Sequence, residues 1–357
     1  MKMDNKTDVE EQIERPSRFI KENIQTAKAL PEILFITSFP PKVCGIATYS
    51  EDLIQSLKTK FVKSFKAIIC PIETEDEHYN YAQNTAYHLN TSDYDSYIRL
   101  AKKINKSDAI ELVMLQHEFG FFGAVQNGLS KFLELLEKDI IVTFHTVLPK
   151  PDSGLKKQVQ EIAHYAKSII VMTDISATIL AKEYKISPEK INLIPHGTHL
   201  LPLTEKSSLK DKYQLKGKKV LSTFGLLGSG KNIETTLNAL PKIIAEHPDV
   251  LFLIIGKTHP TIIKNDGEEY RLSLEKTVQE LHLENNVRFV NAYLPLAELL
   301  EYLQLTDIYL FTSKDRNQAV SGTFSYAISY GCQIISTTIT HTLKIHKEKT
   351  RIIIEYK

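Results

Sequence analysis

Short apolar runs alternate with longer amphipathic stretches from residue 33 almost to the end of the chain, a rhythm of strands and helices in alternation. Residues 33–36, 67–70, 112–115, 140–144 and 168–172 read as strands in the first half, and 219–224, 250–255, 287–290, 308–311 and 334–335 in the second. Between them, 49–57, 156–166, 177–184, 233–245, 271–281 and 295–305 read as helices. Thr48 or Ser50 is the expected cap of the first, Thr173 to Ser176 cap 177–184, and Pro295 suits a first helical turn. The stretch 308–337 shows the repeating unit most fully. Ile308-Tyr309-Leu310-Phe311 runs into a polar loop, a helix opens at Ser321-Gly322-Thr323, Gly331 stops it, and Ile334-Ile335 begins the next strand. That order is the crossover unit of a parallel sheet. Its loop lies at the sheet's carboxyl edge, where open α/β folds bind ligands, and small residues at the helix start leave N–H groups free for an anion such as phosphate.

Two such series divide the chain into a polar leader (1–29), a first α/β domain (30–203), a linker with a short helix (204–217) and a second α/β domain (218–357). At 357 residues there is room for two domains with substantial cores. Hydrophobic residues make up 42% and charged residues 24%, as in soluble globular proteins. A formal net charge of +1 gives no reason to expect a nucleic-acid partner. Cys44, Cys70 and Cys332 are too few and too scattered for a disulfide framework or a metal cluster. Met1 to Arg18 lacks the apolar core of a secretory signal, so the cytoplasm is the expected location. The longest apolar runs are strand-sized, far short of a membrane span.

Several loops carry candidate chemistry. After the first strand, Pro40 and Pro41 bar helix and Gly45 can adopt backbone angles closed to other residues. Gln116-His117-Glu118 follows the strand at 112–115, where His117 is either a site residue or a histidine satisfied by a neighbouring carboxylate. Gly225-Leu226-Leu227-Gly228-Ser229-Gly230-Lys231-Asn232 stops one residue short of an NTPase phosphate loop. That loop needs a hydroxyl at Asn232 to ligate Mg²⁺ and a later strand ending in Asp, whereas 250–255 ends in Gly256-Lys257. Zinc-type histidine spacing is absent around His145, and no metal is expected.

These segments, in this order, resemble the retaining, two-domain (GT-B) nucleotide-sugar glycosyltransferases of the fourth family. The first loop resembles F-P-P-x-x-x-G-I-A-x-y, and Gln116 to Gly123 resembles Q-H-E-f-G-x-f-G. Ile194-Pro195-His196-Gly197 is similar to I-P-N-G, with histidine for asparagine. Gly225, Leu227 and Lys231 match G-R-L-x-x-x-K-G, with Leu226 in the arginine's place and Asn232 in the final glycine's. Asn291-Ala292-Tyr293-Leu294-Pro295 is similar to F-x-G-x-V/L-P. Gln318, Ser321, Gly322, Thr323, Tyr326 and Ala327 match a branch signature, Q-x-x-S-G-T-x-x-Y-A, in place of the usual two glutamates.

The resemblance implies a GT-B fold, two doubly wound Rossmann-like domains facing across a cleft. It implies transfer of a hexose, with a lean towards mannose, from a nucleotide diphosphate sugar to a glycan or other hydroxyl, with retention of configuration and no metal or other cofactor. His145, Lys231 and Gln318 would be catalytic: His145 on a sugar hydroxyl, Lys231 on the departing diphosphate, Gln318 on the donor sugar. Donor binding would fall to Gly45, Gly225, Gly228, Gly230, Gly256 and Lys257, with Asn291 and Tyr293 at the base. Ser321, Gly322 and Thr323 would serve the phosphates and Tyr326 the ribose. His117, Glu118 and His196 would line the acceptor side, and a lipid-linked acceptor would bring peripheral membrane contact.

After Thr337 the family would continue with another glycine-containing strand and at least two helices. The remaining residues do not follow that pattern, so the second domain is expected to be incomplete, through truncation or a frame shift; the alternative is a compact form whose final strand is 351–356. Two other functional readings stand beside the enzyme. One is a non-catalytic nucleotide-sugar or glycan binder, or inactive remnant, favoured by the missing glutamates and arginine. The other, weaker, is an NTPase.

Overall fold

The computed structural model describes residues 30–81, 85–199, 202–315 and 320–337, together with the strand Arg351–Ile354. The first domain runs β1 (Glu32–Thr37), α1 (Gly45–Lys60), β2 (Lys66–Glu73), β3 (Leu89–Asn90), α2 (Tyr94–Asn105), β4 (Ile110–His117) and α3 (Gly128–Leu135). It continues with β5 (Asp139–Phe144), α4 (Ser153–Tyr165), β6 (Ser168–Val171), α5 (Asp174–Lys182) and β7 (Ile191–Leu193). Its sheet has the order β3-β2-β1-β4-β5-β6-β7, with parallel neighbours throughout. The strands read as unbroken apolar runs because helices cover both faces. Leu34, Ile36, Val113, Leu115, Val142 and Phe144 pack on one side, and Phe35, Ile69 and Met114 on the other.

The second domain runs α6 (Lys206–Lys212), β8 (Lys219–Phe224), α7 (Ile233–Glu246), β9 (Val250–Ile255), α8 (Pro260–Asp266), α9 (Glu269–Glu280) and β10 (Val287–Val290). It ends with α10 (Leu296–Leu305), β11 (Ile308–Phe311), α11 (Gly322–Ser329), β12 (Gln333–Thr337) and β13 (Arg351–Ile354). Its strand order, β10-β9-β8-β11-β12-β13, is that of a doubly wound sheet in which the order reverses beside β8. Arg351–Ile354, within the strand read at 351–356, pairs parallel with β12.

Every strand expected from the sequence is found, and the start of the first helix is corrected. Helix α1 begins at Gly45 with Cys44 at its cap position, so Thr48 and Ser50 lie inside the helix. The stretch 204–217, read as a linker with a short helix, carries α6 and packs on the second domain. Leu209 and Leu215 belong to the second domain's core, and the Asp307 carboxylate ties Lys206 and Lys210 to the start of β11. Helix α2 went unpredicted although Tyr97, Leu100, Ala101 and Ile104 form its buried stripe and Asp93 caps it. At α5 the cap is as expected, with the Thr173 side chain accepting from the Ser176 amide.

Candidate active site

The second domain's site grows from the end of β8. Gly225 has φ +126°, and a Cβ there would lie 3.1 Å from Thr323 Cγ2 and 3.2 Å from Lys231 Nζ. Gly256, after β9, has φ +139°, and a Cβ would lie 2.0 Å from the Gly225 carbonyl oxygen. Both positions therefore require glycine. The chain then makes a single 3₁₀ turn at Ser229–Lys231, and Asn232 begins α7 in the left-handed conformation, φ 54°. Asparagine is among the few residues that accept that geometry, which accounts for its standing where the resembling pattern has glycine. Its amide oxygen takes the Thr235 hydroxyl at 2.9 Å.

This loop is clasped by the one after β11, across the point where the strand order reverses. Thr312 Oγ1 donates to the Lys231 carbonyl at 2.7 Å, and the Lys314 amide to that of Gly230 at 2.8 Å. The Lys231 ammonium is thereby held beside Gly225, Thr323 and the Phe311 ring, 6.0 Å from the ring centroid. Burial pushes its pKa down to about 8. His259 lies close enough for the lysine to add to burial in lowering the imidazole pKa. Across from Lys231, Ser321 caps α11, accepting from the Phe324 amide at 3.3 Å. A cation, a glycine turn and the first turn of a helix thus converge, which is the chemistry of a phosphate site.

Other expected donor residues lie elsewhere around this centre. A Cβ on Gly228 would lie 2.5 Å from Ile262 Cδ1, so Gly228 serves packing against α8, while Gly230 opens onto free space. Lys257 is exposed and contributes its carbonyl to the Leu227 amide. Asn291 is exposed, and Tyr293 reaches the first domain, its hydroxyl 2.8 Å from Thr48 Oγ1. Tyr326, expected at the ribose, is placed against the first domain. It is 8% exposed and its hydroxyl donates to Asp52 of α1 at 3.4 Å. Asp52 also pairs with His199 at 2.8 Å, so the tyrosine is committed to the domain contact. Gln318 lies outside the described residues.

On the first domain, Gly45 opens α1 with nothing within 4 Å of its would-be Cβ. His145 follows β5; its Nε2 lies 2.8 Å from Gln116 Oε1 and its ring meets Tyr49 edge-on, with centroids 5.0 Å apart. Burial, reinforced by the nearby His196 and His117, pushes its pKa down to about 3, so the imidazole is neutral. Tyr49 also contacts His196 at 5.2 Å, and His196 Nε2 sits 3.3 Å from where a Gly322 Cβ would be. His196, expected on the acceptor side, therefore stands at the start of α11. Glu118 accepts from Thr146 Oγ1 at 2.7 Å and from the Phe119 amide at 3.0 Å. Its pKa is raised, chiefly by burial, with Asp315 of the facing domain adding to the rise.

His117 does not line the cleft. It is fully buried, with the rings of Phe119, Phe122 and Phe144 around it and both ring nitrogens without partners. Desolvation alone lowers its pKa to about 3. Four residues assigned no role from the sequence lie around these side chains: Tyr49, Asp52, Gln116 and His259. Gln116 and His259 could have been found from their place at strand ends on the carboxyl edge. Asp52 is an ordinary helix carboxylate until the second domain is set against it.

Among the described residues no three histidine, cysteine or carboxylate side chains cluster as metal ligands, and no helix is long and apolar enough to cross a membrane. Residues 205–355 match the family model for glycosyl transferases group 1. No curated protein matches the chain in sequence. Among solved structures, Anabaena HepE in complex with UDP and glucose is 15% identical, with a TM-score of 0.67 over 91% of this chain and 86% of that one. A Rickettsia africae glycosyltransferase is 17% identical, with a TM-score of 0.64 over 92% and 84%. The sucrose-phosphate synthase of Thermosynechococcus elongatus is 13% identical, with a TM-score of 0.67 over 91% and 86%. The chain thus has the fold of the GT-B glycosyltransferases, and the match to the group 1 glycosyl transferase model falls on its second domain.

Proposed function

We propose that the protein transfers a hexose from a nucleotide diphosphate sugar to a glycan or other hydroxyl acceptor, with retention of configuration. The observation that carries this reading is the approach of Lys231 Nζ to Gly225 and Thr323 at the reversal of the second sheet. Leaving-group charge would develop on the diphosphate there, and a preorganised cation beside helix-start amides stabilises it. Lys231 has this task without the arginine that Leu226 replaces. His145, neutral and anchored, would bind a hydroxyl of the donor sugar without taking up its proton. HepE's complex with UDP and glucose makes UDP-sugars the first donors to test, ahead of the GDP-mannose that the branch signature suggests.

The test is donor binding followed by turnover. Wild type should bind one nucleotide-sugar series and form product with an acceptor, and Lys231→Ala should weaken binding. Unchanged affinity in Lys231→Ala would refute the placement of the phosphates. A second reading, a binder without turnover, draws support from the contact of Tyr326 with Asp52, which competes with the ribose role expected of that hydroxyl. Donor binding with no transfer to any acceptor would select it.

A further inference from the structure

Gln116 is a buried side chain with an unpaired polar atom beside His145. It sits near the carboxyl end of β4, fully buried, paired in register with Thr143 of β5. Its Oε1 faces His145 Nε2 at 2.8 Å, while its amide nitrogen has no partner. A buried amide left unpaired costs about 1–3 kcal/mol, and an apolar residue of the same volume would avoid that cost. Stability therefore does not explain a glutamine here. Its contact with His145 does.

We infer that Gln116 is a positioning residue: its carbonyl oxygen holds the His145 imidazole in the Nε2–H tautomer, leaving Nδ1 as a hydrogen-bond acceptor. A carbonyl oxygen has no proton to give, so the ring nitrogen facing it must be the donor. In a neutral imidazole the other nitrogen then carries the lone pair. None of the hydrogen bonds among the described residues uses His145 Nδ1, and Tyr49, edge-on to the ring, limits its rotation. The fixed tautomer thus defines the chemistry His145 can offer: it accepts from a sugar hydroxyl and does not donate to a sugar oxygen. The contact to the sugar rests on the transferase reading; the tautomer does not.

The test uses the full chain labelled with ¹⁵N-histidine, its His145 ring signals assigned by their loss in His145→Gln. Wild type should show one neutral tautomer, protonated at Nε2. Gln116→Leu should show a tautomer mixture, with transfer slowed about 10²-fold, the scale of a misplaced catalytic contact, and affinity for the nucleoside diphosphate alone unchanged. Gln116→Glu keeps the acceptor oxygen, so it should keep the tautomer, recover part of the rate and add an ionisation to the pH–rate profile. Should Gln116→Leu fail to fold, wild type and Gln116→Glu decide the matter. A wild-type spectrum protonated at Nδ1, or a tautomer unchanged in Gln116→Leu, would overturn the inference. A tautomer that shifts as expected without any change in transfer would uphold Gln116's role and count against the sugar contact of the transferase reading.

Discussion

Thr48 of the first domain and Tyr293 of the second are joined by a 2.8 Å hydrogen bond between their hydroxyls, across 245 positions of sequence. Both side chains sit on loops or helix starts at the carboxyl edges of the sheets, so this bond lies at the mouth of the proposed donor site. Tyr293→Phe removes the bond and keeps the ring, and should lower stability by no more than about 1 kcal/mol, as for an exposed pair. If the ring also stacks on the nucleobase, Tyr293→Ala should weaken donor binding well beyond Tyr293→Phe. Calorimetric titration of the two variants with nucleotide alone checks this.

Lys231 gives a pH signature. Its folded pKa, about 8, lies below the ordinary lysine value, so between about 8 and 10.5 the unfolded chain binds more protons than the folded one. Stability contributed through this group is accordingly lowest below pH 8 and rises as pH climbs through that window. Lys231→Met should raise the melting temperature at pH 7 while weakening nucleotide diphosphate binding. In wild type, affinity for the diphosphate should fall as pH rises through 8. Lys231→Arg should move that fall out of the accessible range.

The fully buried His117 predicts acid sensitivity. Its pKa, about 3 when folded, lies below the ordinary value near 6.5, so the unfolded state takes up the extra proton between those limits. Stability from this group is complete above pH 6.5 and is lost as pH falls, by about 1.4 kcal/mol per unit. His117→Phe, placed among Phe119, Phe122 and Phe144, should reduce the acid slope by this group's share, leaving the share that His145 adds over the same window, and leave donor binding unchanged. Urea denaturation at a series of pH values measures both effects.

Three backbone positions separate necessity from permission. Gly256→Ala should destabilise the second domain severely, since its Cβ would meet the Gly225 carbonyl at 2.0 Å in a region closed to side chains. Asn232→Gly should be tolerated, whereas Asn232→Ala must enter the left-handed region at a cost of about 1 kcal/mol or more. Gly45→Ala should fold normally, as nothing stands within 4 Å of the new methyl. Thermal unfolding of the variants ranks them.

The strands were legible because burial on both faces turns each into a continuous apolar run, as in Val250–Ile255. The donor loop was legible through Gly225, Gly256 and Lys231, where close approach and charge leave little choice of residue. His117 was misleading because strand alternation turns it into the core while its neighbour Gln116 faces His145. Tyr326 and Asp52 could not be paired from sequence, because their contact depends on how two domains meet. Gly228 reads as part of a phosphate loop, but the packing of Ile262 on it is a tertiary fact.

The most direct test of the central claim is isothermal titration of wild type and Lys231→Ala with UDP-glucose, GDP-mannose and ADP-glucose, followed by product assay with the donor that binds. The account predicts saturable binding of one donor, a loss of tenfold or more in Lys231→Ala, and transfer by wild type alone. Equal affinities of the two proteins for that donor, or no binding by folded wild type, would contradict it.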